Sequence, residues 1–212
     1  MLLVFTLGFH ADHVIRRLFK STSDVEAVHV VTARPVVSAV KHAYSEIVAI
    51  IDRMKLPPPK LIDVDVSSPG ASIYTLYKQW KSYSHIVADL SGGMRPVVVI
   101  TLIALTLATL HSHVELYVSG EREDAVEARI PLNILPYALT KSLSQEKAAI
   151  LRTLLKTPGL TPHDLAQLLG KSDRTIRAHT SELKRYELIQ DKNKKLYPTN
   201  WAKLIIELLE QP

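Results

Sequence analysis

The sequence predicts an α/β protein in which a Rossmann-like, doubly wound parallel sheet is followed by a small winged helix-turn-helix domain. Two patterns predict this architecture. Over roughly the first 130 residues, apolar β-rich segments alternate with helical segments, which is the order of a parallel sheet covered by helices on both faces. Beyond residue 140, three short helical segments precede a lysine-rich hairpin, which is the order of a winged helix-turn-helix.

The elements of the sheet domain follow from the periodicity of the apolar residues. Strands are predicted at 2–7, 27–33, 60–66, 85–90 and 114–118, with a candidate antiparallel edge strand at 125–130. Helices are predicted at 12–20, 36–54, 71–83 and 94–111. The three consecutive prolines at 57–59 force a break before the third strand, because proline cannot continue a helix.

Composition limits the class of protein. Of the 212 residues, 47% are hydrophobic and none is cysteine, so a globular core is expected while disulfides, thiolate catalysis and cysteine-ligated zinc are excluded. The N-terminus lacks the features of a signal peptide and reads as a strand. The uncharged segment 97–110 is too short to span a bilayer. We therefore expect a cytoplasmic protein that does not bind a membrane.

The same segment, 97–110, predicts the oligomeric state. A helix that is apolar on nearly all sides needs cover on both faces, and one sheet covers only one of them. We expect a second copy of the chain to pack on the other face, so that the protein is a homodimer.

Positive charge is concentrated in the C-terminal third of the chain. Residues 1–139 carry 13 Lys+Arg and 13 Asp+Glu, whereas residues 140–212 carry 13 and 8. A neutral body with a basic module indicates that the module meets a polyanion such as double-stranded DNA. The boundaries we predict are a sheet domain at 1–134, a linker at 135–141 and a DNA-binding domain at 142–212. The linker is apolar, so we expect it to join the domains semi-rigidly.

The most specific motif is Asp-Leu-Ser-Gly-Gly-Met-Arg at 89–95, where an apolar strand runs into a helix. Glycines let a backbone approach a ligand closely, and the free N–H groups at a helix N-terminus favour an anion. Arg95 adds a planar fork that suits phosphate. The alternative is a tight turn with an incidental arginine. The residues expected to bind a phosphorylated ligand here are Ser91, Gly92, Gly93, Met94 and Arg95.

Two further loops follow strands of the same sheet, and ligands of such sheets bind at the carboxyl ends of the strands. The first loop contains Gly8, Phe9 and His10, and the second contains Arg34, Pro35, Val37 and Ser38. A dinucleotide fingerprint and a P-loop are both absent from the sequence, which argues against nicotinamide, flavin and common NTPase chemistry. The histidine pairs at 10/13 and 111/113 lack a third ligand at a recognisable spacing, so no metal site or cofactor is expected.

The C-terminal segment has the order of elements that is typical of a helix-turn-helix. Thr161 and Pro162 begin its second helix, and Gly170 ends it. In the third helix, 172–185, apolar residues share one face and basic residues the other, which suits a DNA major groove. A lysine-rich hairpin follows as a wing that can meet phosphates. The residues expected to contact DNA are Ser172, Arg174, Thr175, Arg177, Ser181, Lys184, Arg185, Lys192, Lys194 and Lys195.

Two features of this segment leave alternatives open. Tyr186-Glu187 stands where many winged helices have glycine, so either the third helix ends differently or Glu187 accepts roughly 1 kcal/mol of strain. The apolar stripe at positions 201, 204, 205, 208 and 209 belongs either to the core or to a dimer contact.

The segments Leu-Gly-Phe at 7–9, Ala-Arg-Pro-Val-Val-Ser at 33–38, Pro-Pro-Pro at 57–59 and 89–95, together with the winged helix, resemble the archaeal CRISPR-associated regulators of the Csa type over essentially the whole chain. The resemblance implies an N-terminal CRISPR-associated Rossmann fold, known as CARF, that dimerises and senses cyclic oligoadenylate across its two-fold axis. It places the ligand on the three loops named above and implies that Asp89 orders its loop rather than facing the ligand.

The resemblance implies a transcriptional regulator rather than an enzyme, with cyclic tetra-adenylate as the expected effector. This ring carries four phosphates and a two-fold axis. The two copies of the loop at 91–95 in a symmetric dimer could therefore each bind two phosphates. Two alternatives stay open. One is a ring nuclease that cleaves the ligand by orienting its own 2′-hydroxyl, and the other is a regulator that senses a different phosphorylated small molecule.

Overall fold

A computed structural model describes residues 1–20, 24–120, 126–135 and 143–210. The chain divides into two compact units, Met1–Leu132 and Asn133–Pro212. The division falls two residues before the domain end expected at 134, and Ile134 is buried with the apolar core of the second unit. Most of the linker expected at 135–141 lies outside the described residues.

The first unit is built on a six-stranded sheet with the order β3-β2-β1-β4-β5-β6. Its strands are β1 (Leu2–Thr6), β2 (Ala27–Ala33), β3 (Pro59–Val64), β4 (His85–Asp89), β5 (His113–Val118) and β6 (Ala128–Ile130). The first five strands are parallel and β6 is antiparallel to β5. The strand order reverses between β1 and β4, and this is the point at which open α/β sheets bind their ligands. The doubly wound sheet and its antiparallel edge confirm the predicted fold class.

Four helices connect the parallel strands: α1 (Asp12–Lys20), α2 (Ser38–Arg53), α3 (Pro69–Trp80) and α4 (Arg95–Ala108). α1 and α2 pack on the sheet face that carries Leu3 and Phe5. α3 packs against α4, which in turn contacts β1 and β2. Every residue of β1 is buried, so the centre of the sheet is covered on both faces and forms the core of the unit.

The element boundaries differ from the sequence prediction by a few residues, and local chemistry explains the clearest case. β3 ends at Val64 rather than at 66, because the carboxylate of Asp65 accepts a hydrogen bond from the Ser67 N–H at 2.9 Å and turns the chain. α3 begins two residues earlier than predicted, at Pro69, since proline suits the first turn of a helix.

The second unit contains α5 (Gln145–Lys156), α6 (Pro162–Leu169), α7 (Asp173–Arg185), β7 (Ile189–Lys192), β8 (Lys195–Pro198) and α8 (Asn200–Glu210). Thr161 and Asp164 form a reciprocal capping box at the start of α6. Gly170 ends this helix in the left-handed conformation, with a φ of 61°. The order of helices and hairpin is that of a winged helix-turn-helix.

The backbone decides one of the two open points in this unit, and the burial pattern bears on the other. Glu187 has a φ of 57°, so the alternative in which it accepts strain is the correct one. In α8, the side chains of Ala202, Ile205 and Ile206 are buried in the core, whereas Trp201 and Leu204 are exposed. Of the predicted stripe, Ile205 is buried and Leu209 packs against the core, so α8 contributes to the core, while the burial of position 208 lies outside what the structure describes. A dimer contact through the exposed Trp201 and Leu204 stays an open alternative. Over the part of the chain that the structure describes, no helix has the length and hydropathy needed to cross a bilayer.

Candidate functional site

A cavity of about 550 Å³ lies at the carboxyl ends of β1 and β4, where the strand order reverses. Its volume is in the range of small-molecule sites. Four segments line it: the loop after β1, the start of α1, the loop after β4 and the loop after β5. The lining residues are Gly8, Phe9, His10, Asp12, His13, Arg16, Ser91, Gly92, Gly93, Met94, Ser119 and Gly120.

Three of the lining glycines, Gly8, Gly92 and Gly93, allow the loops to pack against each other and against α1. A Cβ on Gly8 would lie 3.2 Å from the backbone N of Gly93, and one on Gly92 would lie 2.0 Å from the imidazole of His13. Gly93 has a φ of 90°, and a Cβ there would lie 3.2 Å from that of Thr6. Protein atoms therefore occupy the room that the missing side chains leave, and close approach of a ligand to this backbone stays a prediction. The glycine backbone still lines the cavity.

The loop after β4 is held in place by Asp89, which is buried beneath it. Asp89 Oδ1 accepts hydrogen bonds from the Ser91 hydroxyl and from the Ser91 N–H, the latter at 3.0 Å. The Ser91 hydroxyl accepts a hydrogen bond from the Ser119 N–H at 2.8 Å, and the Thr6 hydroxyl donates to the Gly92 carbonyl at 2.5 Å. Asp89 therefore orders the loop and does not line the cavity, as the sequence led us to expect.

The wall of the cavity offers several groups for an anion. The backbone N–H groups of Gly92, Gly93 and Met94 donate to no acceptor within the described segments of the chain. α4 begins at Arg95 immediately after Met94, so the positive end of its dipole points to the same place. Arg16 extends from α1 into the lining and is exposed. The backbone, the helix dipole and a guanidinium therefore converge on one cavity.

Sequence reasoning missed five of the lining residues. Asp12, His13 and Arg16 lie on α1, and Ser119 and Gly120 follow β5. The i, i+3 spacing of His13 and Arg16 puts them on one helical face, and this is a signal that could have been used. The loop after β5 could have been found from the strand order, because β5 neighbours β4.

Some residues that the sequence placed at the ligand lie elsewhere. Arg34, Pro35, Val37 and Ser38 follow β2 and are not among the described residues that line the cavity. Arg34 Nε instead donates a hydrogen bond to Asp63 Oδ2 at 2.7 Å, and this bond lowers the pKa of the Asp63 carboxyl. Arg95 is exposed at the first position of α4, next to the lining residue Met94. The binding roles of these five residues stay predictions.

In the second unit, α7 separates an apolar face from a basic one. The side chains of Ile176, Thr180 and Leu183 are buried, as predicted from their spacing. Four of the residues expected to contact DNA are exposed on the helix: Arg174, Arg177, Ser181 and Arg185.

Four of the expected DNA contacts on α7 or at its N-cap have partners within the protein. Ser172 caps the helix and accepts a hydrogen bond from the Thr175 N–H at 3.1 Å. Lys184 Nζ donates to Asp191 Oδ2 in β7 at 2.7 Å, and this bond lowers the pKa of the Asp191 carboxyl. Arg185 donates to the Tyr186 hydroxyl at 2.6 Å. Arg174 and Arg177 are therefore the more available of the basic side chains on this helix.

The wing is a tight hairpin formed by β7 and β8. Asn193 and Lys194 both have positive φ angles, of 55° and 64°, which is the conformation of a two-residue type I′ turn. Lys192, Lys194 and Lys195 are exposed at its tip. The turn therefore presents three ammonium groups together, as the sequence predicted.

Comparison with known proteins assigns both units. The model of the Csa3 CRISPR-associated Rossmann-like domain matches residues 1–131, and a model of winged helix-turn-helix DNA-binding domains matches residues 148–190. The CRISPR locus-related protein Csa3 of Saccharolobus solfataricus is 26% identical over 191 residues, which cover 89% of this chain and 79% of that protein.

Two solved structures are similar to this chain at a low level. Protein VC1899 from Vibrio cholerae has a TM-score of 0.41 at 9% identity, and the match covers 99% of this chain and 65% of that one. Can2 from Sulfobacillus thermosulfidooxidans, in complex with cyclic tetra-adenylate, has a TM-score of 0.38 at 9% identity, with coverages of 97% and 63%. This chain spans less than two thirds of the length of either structure. Because the family model matches residues 1–131 of 212, the chain belongs to the Csa3 family of CRISPR-associated proteins.

Proposed function

We propose that the protein is a CRISPR-associated, DNA-binding transcriptional regulator that binds a cyclic oligoadenylate, with cyclic tetra-adenylate as the preferred ring. The observation that carries the proposal is the cavity at the ends of β1 and β4, where the Gly92–Met94 backbone, the start of α4 and Arg16 converge. These groups suit the phosphates of an oligonucleotide ring. Binding of DNA would place the protein in the cytoplasm.

The rim of the same cavity suits the bases of such a ligand. Phe9 lines the cavity with 64% of its side chain exposed, and an exposed aromatic ring is the usual platform on which an unpaired base stacks. His10 is also exposed in the lining and can hydrogen-bond a base or a phosphate. A ligand with both phosphates and adenines therefore uses the cavity more fully than a small phosphorylated metabolite.

The face of α4 that points away from the core supports the proposal of a homodimer. Val97, Ile100 and Ala104 are buried against the first unit. Val99, Ile103 and Leu107 are exposed along the other side of α4, and Leu110 is exposed just beyond its end; we name these four residues the α4 stripe. Contiguous apolar surface of this kind marks an interface. In the proposal a second copy of the chain covers the α4 stripe, because a ligand with two-fold symmetry requires two equivalent phosphate-binding loops.

The second unit supplies the DNA contacts in this proposal. Arg174 and Arg177 on α7 enter the major groove, and the wing lysines bind phosphates beside it. The ligand is bound without being cleaved, so the protein acts as a sensor. Ligand and DNA are thermodynamically linked, and such couplings are typically worth about 1–3 kcal/mol.

The test is a titration of labelled DNA from the protein's own promoter region, followed by fluorescence anisotropy with and without cyclic tetra-adenylate. The proposal predicts a change in DNA affinity of about 5–150-fold. By reciprocity, the same DNA changes the affinity for the ligand by the same factor. A linear tetra-adenylate serves as the control. An unchanged DNA affinity at saturating ligand contradicts the proposal.

A further inference from the structure

We propose that His85, His113 and Glu115 form a binding site for a divalent transition-metal ion of the Zn²⁺ class. Each residue offers one ligand atom, and these atoms all lie within 4.8 Å of one another. Two imidazoles and one carboxylate are the donors of many three-ligand zinc sites, in which water takes the fourth position. The site is independent of the proposed ligand cavity and of DNA binding.

The register of the sheet creates this cluster. β4 and β5 are parallel, and His85 lies directly opposite His113 in the pairing. Side chains alternate along a strand, so His113 and Glu115 point to the same face of β5 as His85 does on β4. Three ligands are therefore supplied by two adjacent, hydrogen-bonded strands. Such a platform is rigid, which favours defined metal geometry over adventitious binding.

The two oxygens of the Glu115 carboxylate have different partners. Oε1 lies 2.9 Å from His85 Nε2 and faces the imidazoles. Oε2 accepts hydrogen bonds from the Tyr117 hydroxyl at 2.9 Å and from Arg129 at 3.2 Å. Metal-ligating carboxylates are held in this way by outer hydrogen bonds that fix their orientation. One oxygen is thus anchored, while the other is presented to the metal.

Binding of an ion replaces a contact that the two ligands already make. His85 Nε2 and Glu115 Oε1 lie 2.9 Å apart and form a hydrogen bond. Coordination through His85 Nε2 breaks this hydrogen bond, and the neutral imidazole then carries its proton on Nδ1.

The site lies far from the proposed ligand cavity. His85 and His113 are the first residues of their strands, whereas the cavity lies at the carboxyl ends. The length of β4 separates the two by about 13 Å. His85 is 37% exposed and Glu115 is 21% exposed, so an ion can enter from solvent. Sequence spacing did not predict the site, because His85 and His113 meet only through the pairing of β4 with β5. The expectation of no metal site is replaced by this proposal.

The test uses tag-free protein stripped with a chelator and titrated with Co²⁺, whose visible absorption reports tetrahedral coordination, and with Zn²⁺ in calorimetry. We expect one ion per chain. Separate His113→Ala and Glu115→Gln variants weaken binding at least tenfold, and Tyr117→Phe weakens it about tenfold because the carboxylate is no longer anchored. His42→Ala is the matched control, since His42 forms an exposed pair with Glu46 at 3.3 Å on α2.

Thermal unfolding with and without Zn²⁺ is a second measurement, and it can be made on the unmodified protein. Zn²⁺ raises the unfolding temperature of the unmodified protein, because an ion that binds only the folded state stabilises it. The same addition leaves the His85→Gln and His113→Ala variants unchanged, and circular dichroism verifies their fold. Fewer than one bound ion per chain, or equal affinity in the control and in the His113→Ala and Glu115→Gln variants, overturns the proposal.

Discussion

The guanidinium of Arg17 donates a hydrogen bond from Nε to Asp89 Oδ2 at 3.2 Å, with both side chains almost fully buried. The same guanidinium lies 3.7 Å from the centroid of the Tyr117 ring and pairs with Glu127. Asp89 in turn holds the loop after β4. α1 is thereby connected through one buried ion pair to the loop that lines the proposed ligand cavity.

The first prediction concerns this ion pair. Arg17→Met leaves the Asp89 carboxylate buried without its cation, and breaking a buried pair in this way costs about 3–5 kcal/mol. The free energy of unfolding, measured by urea denaturation, should fall by that amount. Arg16→Met is the matched control on the same helix, because Arg16 is exposed, and it should change stability by less than about 0.5 kcal/mol. Equal effects of the two substitutions would contradict the assigned role of Arg17.

The second prediction separates two locations for the ligand. A hydrogen bond to a charged group is worth about 1.5–3 kcal/mol, so Arg16→Ala should weaken binding of cyclic tetra-adenylate by roughly 10–100-fold in calorimetry. Arg34→Ala should change it by less than about twofold, since Arg34 pairs with Asp63 outside the cavity lining. The opposite ranking would place the ligand at the loop after β2, which is one of the three loops that the sequence suggested.

The third prediction concerns the α4 stripe. Ile103→Glu puts a charge in the centre of the proposed interface, where it would be desolvated, and the protein should sediment as a monomer at micromolar concentration. Phe19→Glu is the control, because Phe19 is an exposed apolar residue on α1 outside the stripe. A stable dimer that persists in the Ile103→Glu variant would exclude this face as the interface.

The fourth prediction distinguishes base-reading side chains from those that bind phosphate. Arg177→Ala should cost about 1–3 kcal/mol of DNA-binding free energy if the side chain reads a base edge. Replacing Lys192, Lys194 and Lys195 together by alanine should instead make the slope of log K against log salt concentration less steep. The slope should change by about 0.9 for each phosphate that is no longer neutralised. Lys203→Ala on α8 controls for net charge, since Lys203 is exposed outside α7 and the wing. If neither set alters binding to the protein's own promoter region, the assignment of α7 is wrong.

The sequence predicted those features that depend on neighbours along the chain. The strands, the loop at 91–95, the capped start of α6 and the wing are all encoded within short segments. Features that depend on pairing across the fold could not be found in this way. Lys184 meets Asp191 only because the wing folds back on α7, and Arg34 meets Asp63 only because β2 pairs with β3.

The same limit applies inside the proposed ligand site. The glycines at 92 and 93 were recognised, but their contacts with His13 and Thr6 depend on how α1 and β1 approach the loop. A pattern of glycines indicates that some group approaches the backbone closely, but it does not show whether that group belongs to a ligand or to the protein. The exposure of Trp201 and Leu204 on α8 has a related reason, since apolar residues on both sides of the helix allow two registers and only packing against α5 and β8 selects one.

Binding of the intact ring is tested by incubating the protein with labelled cyclic tetra-adenylate, separating the bound fraction and identifying the nucleotide by mass spectrometry. A sensor of this ligand should retain the intact ring, in a ratio of one ring to two chains, and the Arg16→Ala variant should lose it. Recovery of shortened linear products would instead identify a ring nuclease. Failure to retain the ring at all would contradict the account and favour a different phosphorylated effector.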